Sequence, residues 1–222
     1  MSCFLFPKSL RDKIESKLAN FWWKKGVGKR GIHWCQWRFL CKSKEEGGLG
    51  FRNMAQFNIS LLAKQGWRFF NCPDTLVSQV FKAKYFPDCH FLDSRLGNSS
   101  SYVWRSIWAT KATLEKGVIW KVGTGRNISI NEDAWIPNYD NIRLMSRFDN
   151  LQSDKAEALI NRVADLILRI PIAAEAHEDF MAWNEEPSGE FTVKSSYKLL
   201  QRSDPTAYAL QTVYKDFYKK IW

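Results

Sequence analysis

The stretch GGLGFRNMAQFNISLLAKQGWRFF, residues 47–70, decides the fold of this chain. Its opening Gly-Gly-Leu-Gly predicts a turn, because glycine reaches backbone angles that are closed to other residues. From near Asn53 the pattern predicts one helix, since apolar residues recur in steps of three and four from Ala55 onward. Polar residues recur in steps of four from Arg52 to Arg68, so we expect one buried side and one cationic row on this helix.

The positive charge of the chain is concentrated in its first third. The whole chain has 33 Lys and Arg against 23 Asp and Glu, a net charge of +10. Residues 1–70 hold 14 of these basic residues and four of the acidic ones, so residues 71–222 are neutral overall. Because Lys and Arg release counterions from phosphates, nucleic acid is the expected partner, with an anionic membrane surface as the weaker alternative.

The composition is typical of a packed globular protein. Hydrophobic residues make up 45% and aromatic residues 15% of a chain of 222 residues, enough for one large or two small domains. The chain has 11 tryptophans. They favour a core rich in large rings, and the alternative is that some of them stack on bases or guanidinium groups. No apolar run approaches the roughly 18 residues of a membrane-spanning helix, so we expect no membrane partner.

The cysteines predict neither disulfides nor a metal site. The five cysteines are scattered, and no Cys-x-x-Cys pair occurs among them. We interpret them as reduced thiols, and we expect no metal ion and no cofactor. The opening MSCFLFPKSL lacks the basic and apolar regions of a secretory signal. We therefore expect an intracellular protein, in the nucleus rather than the mitochondrion.

Helices and two small β-hairpins are predicted around the central helix. Further helices are predicted at residues 9–25, 75–86, 102–116, 156–169, 194–202 and 206–222. The first hairpin pairs the alternating residues 118–122 with 128–130 across a glycine-rich turn. The second pairs residues 180–183 with 191–193 across a polar turn. The fold class is therefore mainly α with a small β component (α+β).

Basic and aromatic residues alternate in the stretch 23–41, WKKGVGKRGIHWCQWRFLC. Flexible glycines allow the backbone to approach a phosphate, and neighbouring cations then close over it. The row of cations on a helix is more often only a solvated face, but here it recurs on two helices and in the loop between them. The predicted nucleic-acid contacts are Lys13, Lys17, Lys24, Lys25, Lys29, Arg30, Arg38, Arg52, Lys64, Arg68, Trp34 and Trp37.

An enzymatic function is the weaker alternative. Acid–base chemistry could use the pair Glu132 and Asp133 or the pair Glu185 and Glu186. Neither pair has a visible His or third acid as a partner, so a solvated strand end or turn explains them better. We therefore expect no catalytic residues and no small-molecule substrate.

Several motifs occur in order along nearly the whole chain. They are FWWKK (21–25), HWCQWRFLC (33–41), GGLGFRNMAQFNISLLAKQGWR (47–68), KAKYFP (82–87), SYVWRSIW (101–108), GVIWKVGTGRNISI (117–130), DAWIP (133–137) and GEFTVKSSYKLL (189–200). Together they resemble plant LINE-type non-LTR retroelement reverse transcriptases. Many motifs in one order make a far more specific resemblance than any single motif. The resemblance places the chain between the polymerase core and the C-terminal zinc-binding segment of such a polyprotein.

Two working parts of that family are missing from this sequence. The polymerase motif Tyr/Phe-x-Asp-Asp holds catalytic metal ions, and no Asp-Asp pair occurs here. The zinc-binding segment carries Cys-Pro-x-Cys with a later His and Cys, and the resemblance places its start just beyond Trp222. The last predicted helix also stops in mid-pattern. The resemblance therefore implies a non-catalytic fragment of an RNA-directed DNA polymerase.

We expect two lobes in this fragment. Residues 1–116 would form a basic helical lobe like a polymerase thumb and connector. Residues 117–222 would form a lobe of hairpins and helices, truncated before the zinc-binding cluster. The basic lobe would bind the backbone of an RNA/DNA duplex without reading its sequence. The alternatives are an inert relic of a decayed retroelement and a protein-interaction module.

Overall fold

The computed structural model describes residues 1–26, 31–129, 133–135, 155–156 and 177–203. In this part the chain is mainly helical with one two-stranded sheet, which confirms the predicted fold class. The helices are α1 (Lys8–Trp22), α2 (Trp37–Leu40), α3 (Met54–Asn71), α4 (Leu76–Tyr85), α5 (Tyr102–Trp108), α6 (Lys111–Gly117) and α7 (Val193–Arg202). Short 3-10 helices lie at Lys44–Glu46 and Phe91–Asp93, and the strands are β1 (Val118–Lys121) and β2 (Phe180–Trp183).

Where the structure describes them, the predicted helices correspond to these elements with one exception, and α2 was not predicted. The helix predicted over residues 102–116 is two helices, α5 and α6, because the fully buried Thr110 folds back on Ile107. The Thr110 hydroxyl donates a 2.6 Å hydrogen bond to the Ile107 carbonyl. The helix predicted at 206–222 lies outside the described residues, as does the one at 156–169 apart from Ala156.

Two compact units divide the chain. Unit one comprises Met1–Gly66, Arg95–Thr110 and Val193–Trp222, and unit two comprises Trp67–Ser94 and Lys111–Thr192. Each unit is therefore assembled from separate stretches of chain. The division into lobes 1–116 and 117–222 stays a prediction.

Helix α3 begins where the sequence predicted, because its first amide groups find side-chain acceptors. The Asn53 side-chain oxygen accepts hydrogen bonds from the amides of residues 55 and 56 at 3.0 and 3.1 Å. Glu15 of α1 accepts a 2.8 Å hydrogen bond from the Met54 amide. A carboxylate there also complements the positive end of the helix dipole. The Asn53 amide donates to the Tyr197 hydroxyl at 2.9 Å.

The cationic row predicted along α3 is not a continuous surface. Arg52 precedes the helix, which begins at Met54. Ser60, in the middle of the predicted row, is fully buried, and its hydroxyl donates to the Gln56 carbonyl at 2.9 Å. A serine can satisfy its hydroxyl on its own helix, so it tolerates burial that its polarity does not predict. Lys64 remains exposed on α3.

A buried asparagine fastens the N-terminal segment in unit one. Asn58 is fully buried in the middle of α3. Its side chain donates to the carbonyls of Met1 and Phe4 at 2.6 and 2.9 Å and accepts from the Phe6 amide at 2.7 Å. Tyr102 adds a 2.8 Å hydrogen bond to the Leu5 carbonyl. These contacts satisfy a polar group that would otherwise be costly to bury.

The two predicted hairpins are wrong, because their first strands pair with each other. Strands β1 and β2 are antiparallel, with Val118 opposite Trp183. Of the predicted partner segments, residue 129 forms an isolated bridge with Lys155, and Val193 begins α7. Ile130 lies outside the described residues. Alternation along a strand identifies its two faces, but it does not identify the strand beside it.

Burial of Trp183 in unit two accompanies this pairing. The Trp183 ring is fully buried, with centroids 4.7 Å from Phe191 and 6.1 Å from Trp67. Its edge also lies against the backbone of Gly117, where any side chain would collide with it. A second group of rings surrounds Phe69, which lies 5.2 to 5.7 Å from Phe81, Phe86 and Phe91. Unit two thus has the ring-rich core that the composition favoured.

None of the described helices combines the length and the apolar character that crossing a membrane requires.

Candidate nucleic-acid interface

The structure places most of the predicted contact residues on the surface of unit one. Lys13, Lys17, Lys24, Lys25, Arg38, Arg52 and Lys64 are all exposed there. Arg68 is exposed too, but it belongs to unit two. Lys29 and Arg30 lie outside the described residues.

These seven cations of unit one are not neutralised by the described acids. Among the residues with described positions, none of the seven has an Asp or Glu oxygen within 4.0 Å of its charged nitrogens. Unit two provides a contrast, since Lys111 there pairs with Glu115 at 3.8 Å. The positive field of unit one is therefore available to an external anion.

Three aromatic rings that contact one another stabilise part of this surface. The Phe51 ring lies parallel to Trp37 at 5.0 Å and edge-on to Trp22 at 4.8 Å. We call Trp22, Trp37 and Phe51 the ring cluster. It joins the end of α1, the start of α2 and the segment before α3. Offset and edge-on ring pairs add about 0.5 to 1.5 kcal/mol each beyond the area that they bury.

The ring cluster brings four of the predicted cations to one region. Arg38 follows Trp37 and Arg52 follows Phe51, while Lys24 and Lys25 come directly after the end of α1. The Arg38 guanidinium lies 4.9 Å from the centroid of the Phe39 ring. The Arg52 guanidinium lies 4.5 Å from the centroid of the Phe57 ring. Cation–π contacts of this kind restrain the arginines while their N–H groups remain able to bind phosphate.

The glycine-rich turn positions Phe51 within the cluster. Gly47 has a left-handed backbone, with φ at +81°. A side chain on Gly48 would collide with the backbone of Lys42, so only glycine allows this close approach. The amides of Leu49 and Phe51 both donate to the Leu40 carbonyl, at 3.1 and 3.0 Å. These hydrogen bonds fix the turn to α2. The left-handed backbone and the close approach explain why glycine is needed at residues 47 and 48.

The remaining predicted contacts differ in their surroundings. Lys13 and Lys17 lie one turn apart on α1, so their side chains share a face. Trp37 is half-buried within the ring cluster, whereas Trp34 is 70% exposed. Both tryptophans were predicted as contacts, because their spacing in the sequence does not reveal which ring is packed. Direct contact of any of these residues with nucleic acid stays a prediction.

The buried Cys41 thiol of unit one is not ionised at neutral pH. Burial, followed by the nearby Glu15 carboxylate, raises the pKa of Cys41 to about 12. The Cys41 carbonyl also accepts a 2.9 Å hydrogen bond from the Gln201 side chain. Cys41 is therefore a neutral packing residue.

Two acids of unit two, Asp179 and Asp133, stabilise loops by accepting backbone hydrogen bonds. Asp179 accepts hydrogen bonds from the amides of Gly123 and Gly125 at 2.8 Å and of Asn127 at 2.9 Å. Partial burial pushes the pKa of Asp179 upward, but these backbone hydrogen bonds outweigh it and leave the pKa below its ordinary value. Asp133 accepts from the Ser129 amide at 2.8 Å.

A cavity of about 680 Å³ lies beside these loops in unit two. Its described lining includes the acids Asp93, Glu115, Asp133 and Asp179. Of the acids considered for catalysis, Asp133 is in this lining. Glu186 accepts a 2.7 Å hydrogen bond from the Thr192 hydroxyl, and Glu132 lies outside the described residues. Among the described residues, no three His, Cys, Asp or Glu side chains are grouped to hold a metal ion.

Two proteins of Arabidopsis thaliana are similar to this chain. "Uncharacterized mitochondrial protein AtMg00310" is 42% identical over 137 residues, which cover 61% of this chain and 89% of that protein. "Putative ribonuclease H protein At1g65750" is 27% identical over 223 residues, covering 90% of this chain but only 36% of that protein. No known family profile matches the chain, and no solved structure matches it.

Proposed function

The chain belongs to the same protein family as the Arabidopsis mitochondrial protein, and on that premise we propose that its basic N-terminal region binds the nucleic-acid backbone. We propose further that the chain is a non-catalytic part of a plant retroelement reverse transcriptase. The ordered motifs described above support this origin. The second relative has ribonuclease H in its name, an activity on nucleic acid, and the present chain spans 36% of its length.

The observation that carries the proposal is the unneutralised charge of unit one. Residues 1–70 hold the whole excess of positive charge, and seven of their cations are exposed without a described acid nearby. Phosphate contacts from such side chains position a nucleic acid but carry no sequence information. The binding is therefore expected to be non-specific and strongly dependent on salt.

The arrangement supports binding rather than chemistry. The chain has no Asp-Asp pair of the kind that holds metal ions in a polymerase palm. The acids Asp133, Asp179 and Glu186 accept hydrogen bonds from their own chain. A basic region that follows a polymerase core would hold the template–primer duplex for that core.

A salt titration tests the proposal. The binding constant of the full chain for a duplex of mixed sequence would be measured by anisotropy between about 50 and 200 mM salt. We expect the logarithm of the binding constant to fall linearly with the logarithm of salt, by about 0.9 per phosphate contact. A flat response would remove the phosphate-contact mechanism.

A matched pair of variants locates the contacts. Changing Lys13, Lys17, Lys24 and Lys25 to Gln should lower the slope by about 1 per lysine that contacts a phosphate. The control changes four exposed lysines of unit two to Gln, namely Lys82, Lys84, Lys116 and Lys121. It removes the same charge. If the control lowers the slope as much, only net charge matters and the proposed location is wrong.

The compartment is also a proposal. We propose the nucleus, where a retroelement enzyme would meet its target, whereas the first relative is named as mitochondrial. A fluorescent fusion of the full chain in plant cells distinguishes the two. Co-localisation with a mitochondrial marker would overturn the nuclear assignment and leave the binding proposal unaffected.

A further inference from the structure

Two rings of unit one are much more exposed than the aromatic residues of a core. Phe21 is 80% exposed and Trp34 is 70% exposed. Scattered exposed apolar residues are normal on a protein surface, but Phe21 lies near the C-terminal end of α1 and Trp34 follows a segment that returns to that end. They also lie among exposed lysines.

Phe21 continues a row of cations along α1. It lies four residues after Lys17 and eight after Lys13, so the three side chains share one face of the helix. Each step along this row is about 6 Å. The helix then ends in a turn in which the Lys24 amide donates to the Phe21 carbonyl at 3.3 Å. Phe21 is therefore flanked by lysines on both sides.

The chain returns to the same place before Trp34. Gly31 packs so closely on the Trp23 carbonyl that a side chain at residue 31 would collide with it. The His33 ring lies 6.4 Å from the Trp23 ring. Residues 31–33 therefore lie against the end of α1, and Trp34 follows directly. The backbone at residues 21, 24, 25 and 34 is thus grouped around the end of α1.

We propose that Phe21 and Trp34 are a stacking platform for unpaired bases, so that unit one binds single-stranded nucleic acid more tightly than duplex. This inference rests on the proposed function and specifies its ligand. Bases present flat apolar faces only where they are unpaired, and any base can stack on an aromatic ring. Lysines on both sides would hold the phosphates of the same strand.

The charges favour this ligand over a protein partner. An apolar protein surface seated on Phe21 and Trp34 would also cover Lys17, Lys24 and Lys25. For these lysines the described chain supplies no acid. Burying unpaired ammonium groups is costly, whereas a polyanion with exposed bases complements both features.

Three oligonucleotides of equal length separate stacking from charge. Anisotropy at one salt concentration would compare a mixed-sequence single strand, the same length of abasic strand, and a duplex. The abasic strand keeps the phosphates and lacks the bases. We expect the full chain to bind the normal single strand about tenfold or more tighter than the abasic strand, and tighter than the duplex.

Substitutions at Trp34 test the role of the ring. Trp34→Leu should reduce the preference for bases, since Phe21 remains, and leave abasic binding unchanged, whereas Trp34→Phe should retain most of the preference. Leu76→Ala is the matched control, because Leu76 is an apolar residue of similar exposure in unit two. Circular dichroism of each variant would verify an unchanged fold.

The outcomes distinguish this inference from the proposed function. Equal, salt-dependent binding of normal and abasic strands would overturn the inference and leave backbone binding intact. A Trp34→Leu variant with an undiminished base preference would also overturn it. Failure to bind any of the three oligonucleotides would overturn both the inference and the proposed function. Loss of self-association in Trp34→Leu, without any base preference, would identify a surface between two copies and reject the inference.

Discussion

The aromatic residues of unit one and of unit two are used in opposite ways. In unit two, Trp183 is fully enclosed by other rings, and in unit one Trp34 is 70% exposed beside lysines. The charged groups of the two units also differ in their surroundings. The Asp179 carboxylate of unit two accepts hydrogen bonds from backbone amides, whereas the seven exposed cations named for unit one have no described acid within 4.0 Å. The difference teaches that the number of rings in a sequence does not reveal which of them are packed and which remain exposed beside charge.

Replacing Trp183 by Ala should have the largest effect on stability. The substitution leaves a cavity against Phe191 and Trp67, so it should lower the free energy of unfolding by about 3 to 5 kcal/mol. Trp34→Ala, at an exposed ring, should change it by less than about 0.5 kcal/mol. Urea denaturation measures both. Equal decreases in the free energy of unfolding for the two variants would contradict the difference between a packed ring in unit two and an exposed ring in unit one.

Asn58→Ala should lower the free energy of unfolding by an intermediate amount. The substitution leaves three hydrogen bonds of the N-terminal segment unmade in a buried place, which should cost about 2 to 3 kcal/mol. Asn20, exposed on α1, is the matched control, and Asn20→Ala should have an effect near zero. Hydrogen exchange of the Phe6 amide would locate the loss. An unchanged exchange rate in Asn58→Ala would contradict this role.

Asp179→Asn should have the smallest of these effects on stability. The lost charge weakens three backbone hydrogen bonds, at a cost of about 1 kcal/mol at pH 7. Because folding lowers the pKa of Asp179, its carboxylate stabilises the protein above the ordinary value of 3.8. That contribution is lost as the pH falls through the lowered pKa.

Stability measured against pH provides the check on Asp179. As the pH falls below 3.8, the free energy of unfolding should decrease less in Asp179→Asn than in the unchanged protein. Asp93→Asn removes the same charge at an exposed acid and is the control. If Asp179→Asn behaves like this control, the loop does not depend on the carboxylate.

Much of the helical fold was predictable, because helix signals are local. The start of α3 near Asn53 and the cap of α4 at Thr75 follow from residue type and spacing. The side-chain partners were not predictable in the same way. Asn58 reads as a polar residue on a helix, and nothing near it in sequence indicates that it binds residues 1–6.

The candidate interface was predictable only in part. The exposure of the seven cations of unit one agrees with their charge, since lysine and arginine are costly to bury. The ring cluster was not predicted, because it joins Trp22, Trp37 and Phe51 across breaks in the helices. For the same reason, spacing alone could not distinguish the packed Trp37 from the exposed Trp34.

The sequence by itself determined the helical class, the glycine-rich turn before α3 and the charge excess of the first 70 residues. These properties depend on neighbouring residues, so periodicity and composition suffice to predict them. Only the tertiary structure decided that β1 pairs with β2 and which rings are left exposed. Val118 and Trp183 are far apart in the chain, and their contact depends on how distant segments share one core.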